Sequence, residues 1–264
     1  MTQAEWIVLW LCAIAALLHG VSGFGFPMLS TAALSSEYAL STAVTLVILP
    51  CLLLNLWMLN SDPKHSLLQS IRYYASRYWP LMLSSLVGSV IGVKLLIWIN
   101  EGYLKLLLGL VIIFYVLDQL RPTPLRVSSS QLSMLGFGLL AGMIGGATNA
   151  MAPFLMMYLL SCQLSKTDIV IISNLNFIAS KLVQLTLLFP ILISLQTHQR
   201  HILLGITLFA LIGVWLGGKI RHRLSQQHFK YLVLFFLFGL GIYALWQSLG
   251  LLQHSTILCK SYHF

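Results

Sequence analysis

Long apolar runs alternate with short polar loops along nearly the whole chain. The runs cover residues 6–36, 39–59, 79–99, 103–117, 131–165, 169–195, 202–220 and 229–250. A helix needs about 20 apolar residues to cross a bilayer, whereas barrel strands show about ten residues of strict alternation. None of these runs alternates, so they predict helices. The run 103–117 is short, with Lys105 placed to snorkel at its start. The loop 60–78 mixes Lys64, Arg72 and Arg77 with Tyr73, Tyr74, Tyr78 and Trp79, a pattern of interfacial segments.

Two runs are too long for one crossing. A straight helix over residues 6–36 would extend about 45 Å, against a hydrocarbon core of about 30 Å. Gly20, Gly23, Gly25 and Pro27 interrupt that run, and Gly142, Gly145, Gly146 and Pro153 interrupt 131–165. A break is therefore expected in each. The order broken, clean, clean, short is followed by broken, clean, clean, clean, which reads as a duplication. Gly20 and Gly23 correspond to Gly142 and Gly145; Gly88, Gly92 and Lys94 correspond to Gly213, Gly217 and Lys219. Small residues at these spacings allow close helix contact in lipid. The expected organisation is a first transmembrane repeat over 1–120, a Pro/Ser linker over 121–130, a second repeat over 131–252 and a polar tail over 253–264.

Each broken segment is either one kinked crossing helix or a hairpin that returns to its own side. With kinked crossings, the 14 loop and edge Lys and Arg residues divide seven and seven between the two sides. With hairpins, the halves become inverted. One side then collects Lys64, Arg72, Arg77, Arg121, Arg126, Lys166, Lys219, Arg221, Arg223 and Lys230, leaving Lys94, Lys105, Arg200 and Lys260 on the other. That asymmetry follows the positive-inside rule and favours inverted repeats with both termini outside the cytoplasm. The expected fold class is an all-α polytopic membrane protein of two homologous halves, each a Gly-broken helix or hairpin followed by three spanning helices.

Composition agrees. Apolar residues make up 58% of the 264 and charged residues 8%, against about 25% charged in an average soluble domain. Mean hydropathy is +0.89, which excludes a soluble or disordered chain. The net charge of +9 sits in loops, where it orients helices and also suits an anionic substrate; no nucleic-acid partner is expected. The N-terminus lacks a basic segment before its apolar run, so the first span is expected to be retained. Cys12, Cys51, Cys162 and Cys259 show no metal or disulfide spacing. HExxH, GxSxG and GxxxxGK[ST] do not occur, so neither enzymatic activity nor a metal or cofactor is expected.

Inverted repeats with discontinuous helices characterise secondary transporters, since a broken helix exposes N–H groups that attract anions. Lys181 lies mid-run, where a charge costs about 2.5–3.5 kcal/mol on insertion scales. Asn174, Lys181 and Gln184 share a helix face, with Ser180 adjacent, and form a candidate anion site; a structural lysine is the alternative. Ser41, Thr45 and Asn55 line the second span, either as a matching polar face or as interhelical hydrogen-bond groups. His19 precedes the first break and is a candidate for proton coupling or a core histidine. No Asp or Glu lies mid-run.

HGVSGFGFPMLS (19–30), GLLAGMIGGATNAMAPFLMM (138–157), GSVIGVKLL (88–96) and GVWLGGKIRHRLS (213–225) resemble the TauE/SafE family of membrane transporters across residues 5–250. The resemblance implies movement of sulfite, sulfonates or related small organosulfur anions. It places Gly23, Phe24, Gly25, Gly145, Gly146, Thr148 and Asn149 of the two Gly-rich breaks in the candidate substrate-binding set. Pro27 stands where the family carries a glycine, and Gly146-Ala147-Thr148-Asn149 replaces a longer glycine run, which implies a different turn in the first half. The expected function is a secondary carrier of a small sulfur-containing anion in a bacterial-type plasma (inner) membrane. A passive anion channel is the alternative. The expected partners are the anion and the lipid bilayer, with a homodimer left open.

Overall fold

In the computed structural model, which describes residues 2–59, 67–123, 125–220 and 226–261, every regular element is an α-helix. In chain order these are α1 (Gln3–Ser22), α2 (Phe26–Leu34), α3 (Leu40–Leu59), α4 (Leu67–Trp98), α5 (Glu101–Leu120), α6 (Gln131–Thr148), α7 (Ala152–Ser161), α8 (Lys166–Leu187), α9 (Phe189–Ile193), α10 (Thr197–Ile220) and α11 (Gln226–Ser261). Seven of them, α1, α3, α4, α5, α6, α8 and α10, are long and apolar enough to cross a membrane. Lys64, Arg221 and Arg223 of the charge count, and the last three residues of the tail, lie outside the described residues.

The breaks fall where the backbone turns left-handed. α1 opens with a capping box between Thr2 and Glu5 and stops at Gly23, φ 87°. Gly25, at φ 107°, then turns the chain into α2, whose second residue is Pro27. Glycine takes these angles without a Cβ penalty. The second break is not at its glycines. α6 continues through Gly142, Gly145 and Gly146 and ends at Asn149, φ 62°. Asparagine is among the few side chains tolerated there. α7 follows, again with proline in its first turn.

Both broken segments are hairpins. At the base of the first, the Tyr38 hydroxyl donates to Glu5 Oε1 at 2.9 Å. At the base of the second, the Val127 N–H donates to Ser161 Oγ at 2.8 Å. A continuous helix would hold Val127 and Ser161 about 50 Å apart. The linker 121–130 is thereby tied down, as it is again where Leu125 N–H donates to Asp118 Oδ1 at 2.8 Å. His198 of α10 also contacts Glu5, clamping the first hairpin's base. Burial and the bond to the Glu5 carboxylate push the Tyr38 phenol above its ordinary value, so it remains a donor.

Glycines set the helix pairing. α4 and α6 run parallel, with Gly138 against Leu81, Gly142 against Ser85 and Gly146 against Ser89. α1 and α10 also run parallel, with Gly205 against Leu9, Gly213 against Ala16 and Gly217 against Gly20. α5 and α11 run antiparallel, with Gly102 against Leu252, Gly109 against Leu245 and Gly241 against Ile112. α8 lies on α4 through Ser85–Asn176 and Ser89–Ser180 hydrogen bonds, each 2.8 Å, and the two helices share a direction. α3 packs against α8 and α10. α4 is kinked at Tyr78 (φ −113°, ψ 22°), two residues before Pro80.

α5 is longer than its apolar pattern suggests, spanning Glu101–Leu120, and Lys105 does not snorkel. Its Nζ is buried, donating to Ser35 O and Gln247 Oε1, both 2.9 Å, with Glu101 Oε1 at 3.0 Å. A carboxylate one turn earlier makes burial of this ammonium tolerable. Lys105→Met is expected to destabilise the fold by about 1–3 kcal/mol, because Glu101 and two acceptors lose their partner; chemical denaturation of the purified protein measures it.

Candidate functional site

The tips of the two hairpins meet at one face of α8. Asn174 and Lys181 lie eight and fifteen residues from Lys166, about 12 and 22 Å along the helix. Asn174 Nδ2 donates to Gly23 O (3.0 Å) at the first break and to Val170 O (2.7 Å) in its own helix. Lys181 Nζ reaches Asn149 Oδ1 at the second break and Gln184 Oε1 at 2.6 Å. Gln184 Nε2 in turn donates to Asn149 Oδ1 (2.9 Å), Gly146 O (3.0 Å) and Gly145 O (3.2 Å). Asn149 Nδ2 donates to Thr31 Oγ1 of α2 at 2.7 Å, joining one hairpin to the other. Every group in this network is buried.

The network has a definite electrostatic character. Lys181 is 3% exposed, and its hydrogen-bond partners are two amide oxygens, with no carboxylate among them. The carbonyl end of α6 and the amide end of α7 both face the second break, so their helix-end charges of about half a unit oppose one another. The formal charge of the site is therefore that of the ammonium. Two of its protons are engaged, and the third has no hydrogen-bond partner among the described residues.

The expected residues divide into those that meet and those that do not. Lys181, Gln184, Asn149 and the Gly145 and Gly146 carbonyls form one cluster. Asn174 and Gly23 form a second at the other hairpin tip. The roles of Gly145 and Gly146 differ from those expected of turn residues. Both are helical: a Cβ at Gly146 would sit 2.5 Å from Ser89 O, and one at Gly145 would sit 2.6 Å from Met151 Cβ. They permit close packing, and their carbonyls hold Gln184. Gly25 faces open space, and the Phe24 carbonyl accepts from Ser22 Oγ at 2.8 Å.

Ser180 is turned to Ser89 of α4 and not toward Lys181. Thr148 and Thr45 donate to the carbonyls of Ile144 and Ser41 in their own helices. Asn55 Nδ2 bonds Cys51 Sγ at 3.2 Å while its Oδ1 has no partner among the described residues, as is true of Asn174 Oδ1. His19 is fully buried, and neither ring nitrogen has a partner among the described residues; its ring stands edge-on to Phe26 at 6.4 Å. Thr31 and Cys51 escaped sequence reasoning. Cys51 lies on α3, which packs against α8 and so comes to the same helix as Lys181. A threonine or cysteine within an apolar run carries no distinguishing signal. Among the described residues no group of His, Cys, Asp and Glu has the arrangement of a metal site.

A family model described as sulfite exporter TauE/SafE matches residues 8–244. No curated protein and no solved structure matches the chain.

Proposed function

Because the chain belongs to the sulfite exporter TauE/SafE family, we propose that it is a secondary transporter moving a small sulfur-containing anion, sulfite, a sulfonate or a similar species. It acts in a bacterial-type plasma (inner) membrane by alternating access. The observation that carries this reading is the Lys181 ammonium, buried without a carboxylate partner where two broken helices meet. Such a charge marks a substrate path more often than a packing contact, and paired hairpin tips are the arrangement transporters use to hold ions.

The helix directions support inverted repeats. The third helix of each half packs on the hairpin of the other (α4 on α6, α10 on α1), and the fourth helices, α5 and α11, pair antiparallel. Exchange of halves by a dyad in the membrane plane reproduces this pattern. Asn174 at the first break, and His19 one turn before it, are the candidates for following the anion or a coupled proton.

Two measurements test the proposal. Single cysteines at exposed Glu37 and Ser194 are expected to react with impermeant maleimide from the same side of intact cells, and one at Ser129 from the opposite side. Labelling of Glu37 and Ser194 from opposite faces overturns the inverted arrangement. In proteoliposomes, sulfite or methanesulfonate is expected to accumulate against its gradient when a proton gradient is imposed. Strictly downhill flux, indifferent to protons, identifies a passive channel.

A further inference from the structure

The two buried lysines of this protein differ in a way that bears on the substrate's charge. Lys105 has the Glu101 carboxylate at 3.0 Å; Lys181 has two amide oxygens, Asn149 Oδ1 and Gln184 Oε1. Among the described residues these are the only lysines or arginines with less than a tenth of their surface exposed. The buried carboxylates, Glu5 and Asp118, are engaged elsewhere: Glu5 with Thr2, Tyr38 and His198, and Asp118 with Leu125. The cluster around Lys181 therefore holds one uncompensated positive charge. The opposed ends of α6 and α7 do not alter that sum.

We infer that the Lys181 site selects singly charged oxyanions, hydrogen sulfite or a sulfonate, over doubly charged ones such as sulfate or the sulfite dianion. This rests on the reading of Lys181 as the anion site. A monoanion brings the buried site to neutrality. A dianion leaves one negative charge away from water, and a buried unpaired charge is heavily penalised. The neighbours reinforce the choice. Asn149 and Gln184 already direct their N–H groups to Thr31 Oγ1 and to the Gly145, Gly146 and Asn149 oxygens. Few side-chain amide donors of the cluster are left to solvate a second charge.

The experiment is calorimetric titration of the purified full-length protein with methanesulfonate, sulfate and sulfite, each at pH 6 and pH 8. Methanesulfonate stays a monoanion throughout and is expected to bind at both, any change in its affinity reporting titration of the site itself, against which the sulfite result is read. Sulfate is expected to bind about a hundredfold more weakly or not at all. Sulfite is expected to lose apparent affinity by about tenfold per pH unit once its second proton is gone, because one proton enters with each anion. Sulfate binding as tight as methanesulfonate, or sulfite affinity constant or rising with pH, overturns charge-state selection while leaving anion transport standing. No binding by any of the three, with the protein folded, overturns the anion site and the selection with it.

Discussion

Replacing Lys181 by methionine is expected to weaken binding of a sulfur oxyanion by about a hundredfold, while the protein folds as before or melts higher. The binding loss follows from removing the charged partner of a buried, hydrogen-bonded ion pair, worth about 2–5 kcal/mol in comparable settings. The stability gain follows from what remains. Asn149 Oδ1 keeps its bond from Gln184 Nε2, and Gln184 keeps the Gly145 and Gly146 carbonyls. Gln184 Oε1 is the acceptor left without its donor. Against that single loss stands the relief of a buried charge lacking a carboxylate. Lys181→Arg is expected to restore little, since a planar fork needs a wider space than an ammonium between two amide oxygens. Affinity for methanesulfonate and the melting temperature, measured on all three proteins in detergent, check both halves. Wild-type affinity in the methionine variant removes Lys181 from the site. Lys105→Met, by contrast, lowers stability without a direct effect on binding.

The second large effect belongs to the helix crossings. A Cβ at Gly142 would lie 2.0 Å from Ser85 O, and one at Gly92 the same distance from Met143 O. Both obstacles are backbone, so neither yields to a rotamer change. Gly142→Ala is expected to cost about 3 kcal/mol or more by forcing α4 and α6 apart, and Gly142→Leu is expected to leave no folded protein. Gly136 and Gly239 meet nothing within 4 Å. Alanine there is expected to be neutral or to stabilise by up to about 1 kcal/mol through helix propensity. Gly109 is not a neutral control, because a Cβ there would press Leu245 of α11 at 2.7 Å. Recovery of monodisperse protein and melting temperatures rank the four variants. A Gly142→Ala protein as stable as Gly136→Ala would show that the helices can separate freely. Separation also matters for binding, since Ser85 and Ser89 hold α8, and α8 carries Lys181.

Much of this architecture was legible in the chain. Spans declared themselves by length, and the matched pairs Gly88/Gly92 and Gly213/Gly217 marked the two crossings that the structure fills with backbone contacts. Lys181, Gln184 and Asn174 were visible because polar groups stand out in an apolar run, and helical spacing puts them on one face. Other features were hidden for physical reasons. Glycines predict the second break, whereas Asn149 makes the turn, because asparagine and glycine both accept a left-handed backbone and sequence does not rank them. A lysine at the start of a short apolar run predicts snorkelling, but its pairing with Glu101, four residues earlier, competes with that route and holds Lys105 inside. Thr31 joins the site through tertiary contact alone, where no local pattern points.

The crossed pairing of halves has a consequence for how the protein is made. α4 is synthesised before α6, yet the surface around Gly88 and Gly92 is complementary to α6 and to nothing earlier in the chain. α1 likewise awaits α10. During insertion the first five helices enter the bilayer with two small-residue seams unfilled, facing lipid that packs poorly against them. Neither half can close its own seams, so an N-terminal fragment ending in the linker is expected to be unstable in the bilayer, whereas the two halves expressed together hold both complementary surfaces. Assembly of this protein is therefore expected to be completed from its C-terminal end, and a premature stop anywhere before α10 leaves the first hairpin without its seat.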